Sequence, residues 1–137
     1  MSTRGAIQSQ INSLQNQLME RRSHGNFLSS ELDEIRRGLR EINQVLSESE
    51  MCMRRLMMLD CEDPSFWRGK VQKKCEEMYK NCIDSSKSYD QMLLFMEEDL
   101  REVEIRMENE IALNEGLISS LTGQIANLQR TLNSLPI

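Results

Sequence analysis

Four cysteines, a single histidine and a run of carboxylates are the side chains of this 137-residue sequence with the most chemistry to offer. Cys52, Cys61, Cys75 and Cys82 form no C-x-x-C pair, and His24 lies far from them in sequence. A structural zinc site needs four converging Cys or His ligands, usually in close-spaced pairs. The spacing predicts no metal site, and the thiols read as small apolar groups in a packed interior. Glu97, Glu98, Asp99, Glu102, Glu104, Glu108, Glu110 and Glu115 are interspersed with Arg101 and Arg106, the pattern of a solvated acidic face. No glycine loop of the phosphate-binding kind is present. Catalysis needs polar groups converging in a concave pocket, and nothing here converges. The sequence predicts no enzyme, no cofactor and no small-molecule substrate.

Those residues must be carried by elements, and the composition says which. Aromatics are 4% of the chain, with 6 glycines and 2 prolines, too few for the turns and strands of a sheet protein. The prolines are Pro64 and Pro136, so two long stretches contain no helix breaker. Net charge is −5, with 17 basic and 22 acidic side chains. The two halves are alike in balance, and neither is a cationic arm for nucleic acid. There is no apolar run long enough to span a membrane. The polar N-terminal stretch lacks the apolar core of a conventional secretory signal.

Ile7, Ile11, Leu14, Leu18, Arg21, Gly25, Leu28, Leu32, Ile35, Leu39, Ile42, Leu46, Ser49, Met53 and Leu56 follow alternating steps of four and three. Such a seam predicts one amphipathic helix from about residue 4 to 60, continuous through Gly25 because the phase is the same on both sides. A turn is expected at 60–65, with Asp63 as N-cap and Pro64 as the first residue of a second helix from about 65 to 134. The second seam reads Val71, Cys75, Met78, Cys82, Ser85, Tyr89, Met92, Met96, Leu100, Val103, Met107, Ile111, Ile118, Leu121, Ile125, Leu128, Leu132 and Leu135. Consecutive steps of four at Met92–Met96–Leu100 and Val103–Met107–Ile111 predict local unwinding of the supercoil.

The fold class is therefore all-α: a single-domain, coiled-coil-like antiparallel helical hairpin. With the turn centred near 63.5, facing residue numbers should sum to roughly 127. That places Cys52 near Cys75, Leu46 near Cys82, and Arg21 and Arg22 near Glu102 and Glu104. A basic cluster, Arg68, Lys70, Lys73 and Lys74, falls at the tip.

A hairpin buries one stripe per helix, and this chain has apolar surface to spare. Met92, Leu93, Leu94, Phe95 and Met96 cover every side of the second helix. Met57, Met58 and Leu59 crowd the tip beside Phe66 and Trp67. Ala112, Gly116, Ser119, Gly123 and Ala126 form a separate stripe of small residues, which lets another helix approach closely. These features predict a helical partner that completes a larger bundle.

Trp67-x-Gly69, set between two amphipathic helices, resembles the WXG superfamily exported by type VII secretion systems. The architecture as a whole is similar to the longer YwqH-like small helical proteins found beside LXG toxins. The resemblance implies that Trp67 covers the end of the bundle and Gly69 lets backbones approach at the turn. It implies a non-enzymatic secretion chaperone that binds the helical N-terminal domain of an LXG toxin, together with a second small helical protein. It also implies a cytoplasmic protein that can leave the cell with the toxin without a cleavable signal peptide. The superfamily's export signal is often Tyr-x-x-x-Asp or Glu on the second helix, with an aromatic variant among toxin-associated partners. Tyr79 and Tyr89 are followed by Ile83 and Leu93 and do not match, whereas Phe95-x-x-x-Asp99 does. On a helix that spacing sets the ring and the charge on one face. The alternative reading is a self-associating coiled-coil scaffold.

Overall fold

The computed structural model describes residues 3–58 and 69–136, which form two helices and pack as a helical hairpin. Helix α1 spans Thr3–Met57 and helix α2 spans Lys70–Ser134. The expected turn, with Asp63, Pro64, Phe66, Trp67 and Arg68, lies outside the described residues, as does Cys61.

Helix α1 runs unbroken through Gly25. Its last turn tightens at Met58, whose N–H is shared between the carbonyls of Arg54 and Arg55, each at 3.2 Å. Both arginines stand in that last turn, where cations favour the negative end of the helix dipole. Helix α2 begins later than the expected residue 65. Gly69 has φ 66°, a left-handed conformation that no α-helix continues through, and its carbonyl accepts the first helical bond, from Lys73 N–H at 3.2 Å. Nothing lies within 4 Å of the Cβ that Gly69 lacks. Glycine is required there by backbone angle, and not by a close approach of backbones.

The packing divides into two units, one of residues 1–35 with 103–137, the other of residues 36–102. In the first unit Ile7, Ile11 and Ile125 form a buried cluster, with Leu14, Leu18, Leu128, Leu132 and Leu135 packed against it. Leu28, Leu32 and Leu121 are also buried. In the second unit the buried apolar residues are Leu39, Ile42 and Leu93. All the expected α1 seam positions except Arg21 are buried or half-buried.

On α2 the seam differs from expectation between residues 71 and 96. Val71, Met78, Cys82, Ser85, Tyr89, Met92 and Met96 are exposed, and of the expected seam positions there only Cys75 is half-buried. The residues turned inward are Gln72, Cys75, Tyr79, Ile83, Ser86, Asp90, Leu93 and Glu97. From Ile83 a row of buried and half-buried positions continues as 86, 90, 93, 97, 100, 104, 107, 111, 114, 118, 121, 125, 128, 132 and 135, with Val103 and Ala126 half-buried beside it. Steps of three and four alternate along this row; the expected insertion at Met92–Met96–Leu100 is absent because Met92 and Met96 are exposed, whereas Val103, Met107 and Ile111 are all half-buried. The reason is phase. Within this unit Leu93 is buried and Leu100 lies beside Gly38 of α1, and the preceding turns of α2 keep that side even where it is polar.

The register differs as well. Ser49 Oγ lies 3.4 Å from Ser86 Oγ, and Ser49 donates a 2.6 Å hydrogen bond to Asp90 Oδ1. Asn114 Nδ2 donates to the Arg21 carbonyl at 2.9 Å, and Arg4 Nη2 to the Leu135 carbonyl at 3.4 Å. Facing residue numbers thus sum to 135–139 rather than roughly 127. Cys52 and Cys75 are then about 12–18 Å out of level along the helix axis, given a rise of ~1.5 Å per residue. Arg21 faces Asn114, not Glu102 or Glu104. The facing ends of the two helices, Met57 and Lys70, still sum to 127, so the register is set by the pairing along the helices and not by where α2 begins.

Candidate interaction surface

In the second unit, the expected patch at 92–96 separates into two kinds of residue. Met92 and Leu94 are each 54% exposed, Phe95 58% and Met96 49%, while Leu93 is 8% exposed. Leu93 belongs to the hairpin core and offers nothing to a partner, which corrects its expected place on the surface. Phe95 and Asp99 are both exposed, one helical turn apart on the same face of α2. Arg101 bonds back to Glu97 at 3.0 Å, one turn away, so the acidic stretch there is braced within the helix.

The exposed apolar residues are ordered. Val71, Met78, Cys82, Ser85, Tyr89, Met92 and Met96 keep heptad spacing, each one residue before a position that faces α1, and the half-buried Cys75 belongs to both rows. Helix α2 therefore carries two seams over this stretch. The inner one holds Ser86, Asp90 and Glu97, and the more apolar one faces outwards. Leu94 and Phe95 stand apart from both.

In the first unit, Ala112, Gly116, Ser119 and Gly123 are exposed and Ala126 is half-buried. A Cβ at Gly116 or Gly123 would meet nothing within 4 Å. This stripe flanks the row that faces α1, with Ala112, Ser119 and Ala126 each one residue after Ile111, Ile118 and Ile125.

Asn114 is a buried residue the sequence reading passed over, at 3% exposure. Its amide reaches the Arg21 carbonyl beside Gly25, where a Cβ would lie 2.9 Å from Asn114 Nδ2. Its Oδ1 is buried and has no hydrogen-bond partner. A cavity of about 320 Å³ opens beside it, lined by Arg22, Gly25, Asn26, Ser29, Ile111, Asn114, Glu115 and Ile118. His24 stacks on Phe27 with ring centroids 6.5 Å apart.

Among the described residues no group of three or more His, Cys, Asp or Glu side chains is arranged to hold a metal ion. No described helix is long and apolar enough to cross a membrane. Compared with protein-family models, curated proteins and solved structures, the chain matches none.

Proposed function

We propose that this protein is a non-enzymatic adaptor of type VII secretion that binds the helical N-terminal domain of an LXG-type toxin and promotes its export. The observation that supports this reading most is the exposure of Leu94 and Phe95 on a helix whose neighbour Leu93 is already buried in the hairpin. Two large apolar side chains held on a helix, outside its intramolecular seam, suit a helix-on-helix contact with a second protein. The order Trp67-x-Gly69, then a long second helix carrying Phe95 and Asp99, is the sequence feature behind the assignment to secretion. In this reading Phe95 and Asp99 form the export signal. The small-residue stripe from Ala112 to Ala126 admits a second small helical protein. The complex assembles in the cytoplasm and leaves without a cleavable signal peptide.

Co-expression with the helical domain of the toxin encoded beside it tests the proposal. The expected result is a complex that co-purifies and is lost on Leu94→Asp. Phe95→Ala or Asp99→Asn should leave the complex intact and stop export. A chain that ignores the toxin domain would overturn the binding role, and unchanged export would remove the signal.

A further inference from the structure

The outward seam of α2 has a property that a surface for an arbitrary partner would not need: it is complementary to itself. Its eight positions run from Val71 to Met96, and the steps read the same in both directions, four and three alternating from either end. Laid antiparallel on a second copy, Val71 meets Met96, Cys75 meets Met92, Met78 meets Tyr89, and Cys82 meets Ser85, with residue numbers summing to 167 in each pair. Every apolar side chain but Cys82 then faces another apolar one. The polar member, Ser85, falls at the middle, beside the two-fold axis.

Charge favours the same arrangement. Lys70, Lys73 and Lys74 stand at one end of this stretch, and Glu98 and Asp99 at the other. Antiparallel pairing sets the basic end of each copy against the acidic end of its partner, whereas parallel pairing stacks like on like. A two-fold interface uses the same patch on both subunits, and this patch satisfies that condition. Val71 is 57% exposed, Met78 64% and Tyr89 48%, so the hairpin leaves the row uncovered except at the half-buried Cys75.

We infer that two copies of this chain dimerise through α2 residues 71–96, antiparallel, about an axis between residues 83 and 84. The inference does not depend on the secretion reading: Leu94 and Phe95 lie outside the paired row and remain available to another protein.

The full-length chain at tens of micromolar should scatter light as a particle of twice the 16.0 kDa chain mass. Met78→Glu and Met92→Glu should each return it to monomer with helical circular dichroism unchanged. Lys73→Glu with Lys74→Glu should weaken the dimer, and adding Glu98→Lys and Asp99→Lys should restore it. Orientation is read with a short bismaleimide on variants that keep one cysteine and carry serine at the other three. Across the proposed axis the two Cys82 residues are about 4.5 Å out of level and the two Cys75 residues about 25 Å. The Cys82-only chain should crosslink into dimers and the Cys75-only chain should not. A monomer, a dimer that survives both glutamate substitutions, or equal crosslinking at the two positions would overturn the inference. Loss of toxin binding in a chain that still dimerises would count only against the proposed function.

Discussion

Gly25→Ala should change sign with its neighbour. In an exposed helix interior the substitution stabilises by about 1 kcal/mol, because alanine loses less backbone entropy than glycine. At Gly25 the new Cβ would lie 2.9 Å from Asn114 Nδ2, inside ordinary contact distance. Asn114 is 3% exposed and its amide is bonded to the Arg21 carbonyl, so it cannot swing away without giving up that bond. A buried donor left unpaired costs about 1–3 kcal/mol. The net effect in the wild-type background is therefore a loss of about 0–2 kcal/mol. In an Asn114→Ala background the obstacle is gone and the same substitution should stabilise by about 1 kcal/mol. Urea unfolding followed by helical circular dichroism, run on both single variants and the double, gives the coupling directly. Equal effects of Gly25→Ala in the two backgrounds would refute the claim that glycine is there to admit the amide.

Substitutions at three further sites probe the described turns and seam. Ser49→Ala removes the donor to a half-buried Asp90 and should cost about 1–2 kcal/mol in unfolding free energy. Adding Asp90→Leu should recover most of that, since both polar partners are then gone. Gly69→Ala should cost about 1–2 kcal/mol from the positive φ alone, and Gly69→Asn less, measured by thermal unfolding. Arg54→Ala, which removes an ion pair with Glu50 whose side chains are 72% and 64% exposed, should shift stability by no more than about 0.5 kcal/mol.

The hairpin was legible because a heptad pattern is a strong signal and α1 keeps it for its whole length. Gly25 did not break the helix, as the shared phase on its two sides predicted. What misled the reading of α2 was counting apolar residues. Between Val71 and Met96 the richest apolar row faces outwards, and the row that faces α1 contains Ser86, Asp90 and Glu97. A count of apolar residues favours the wrong row wherever a second surface is more hydrophobic than the core seam. Extending the phase back from Leu135 would have found the right one.

The register held a similar signal. The expected α2 seam steps by seven from Ile111 to Ile118, and the vacant position between them is Asn114. The α1 seam has its own interruptions at Gly25 and Ser49. In the structure the interruptions meet: Gly25 admits Asn114, and Ser49 bonds to Asp90. Matching polar or empty positions across a hairpin fixes a register, because each needs a partner that apolar positions cannot supply. Centring the turn on Pro64 ignored that requirement. Of the candidate site, Phe95 and its neighbours are exposed as expected apart from Leu93, whose place in the seam follows from the same phase.

The register decides which face of α2 is hidden, and so every surface argued from it. The most direct test is a pair of engineered cysteines, Ser49→Cys with Ser86→Cys, in a chain whose four native cysteines are serine. The two hydroxyl oxygens are 3.4 Å apart, close enough for the substituted thiols to join with small adjustment. Oxidation should close a disulfide within one chain, seen as a monomer of faster mobility on a non-reducing gel. A pair at Cys52 and Cys75 should stay open within the chain. Closure at Cys52–Cys75 with none at 49–86 would contradict the register, and with it the outward seam.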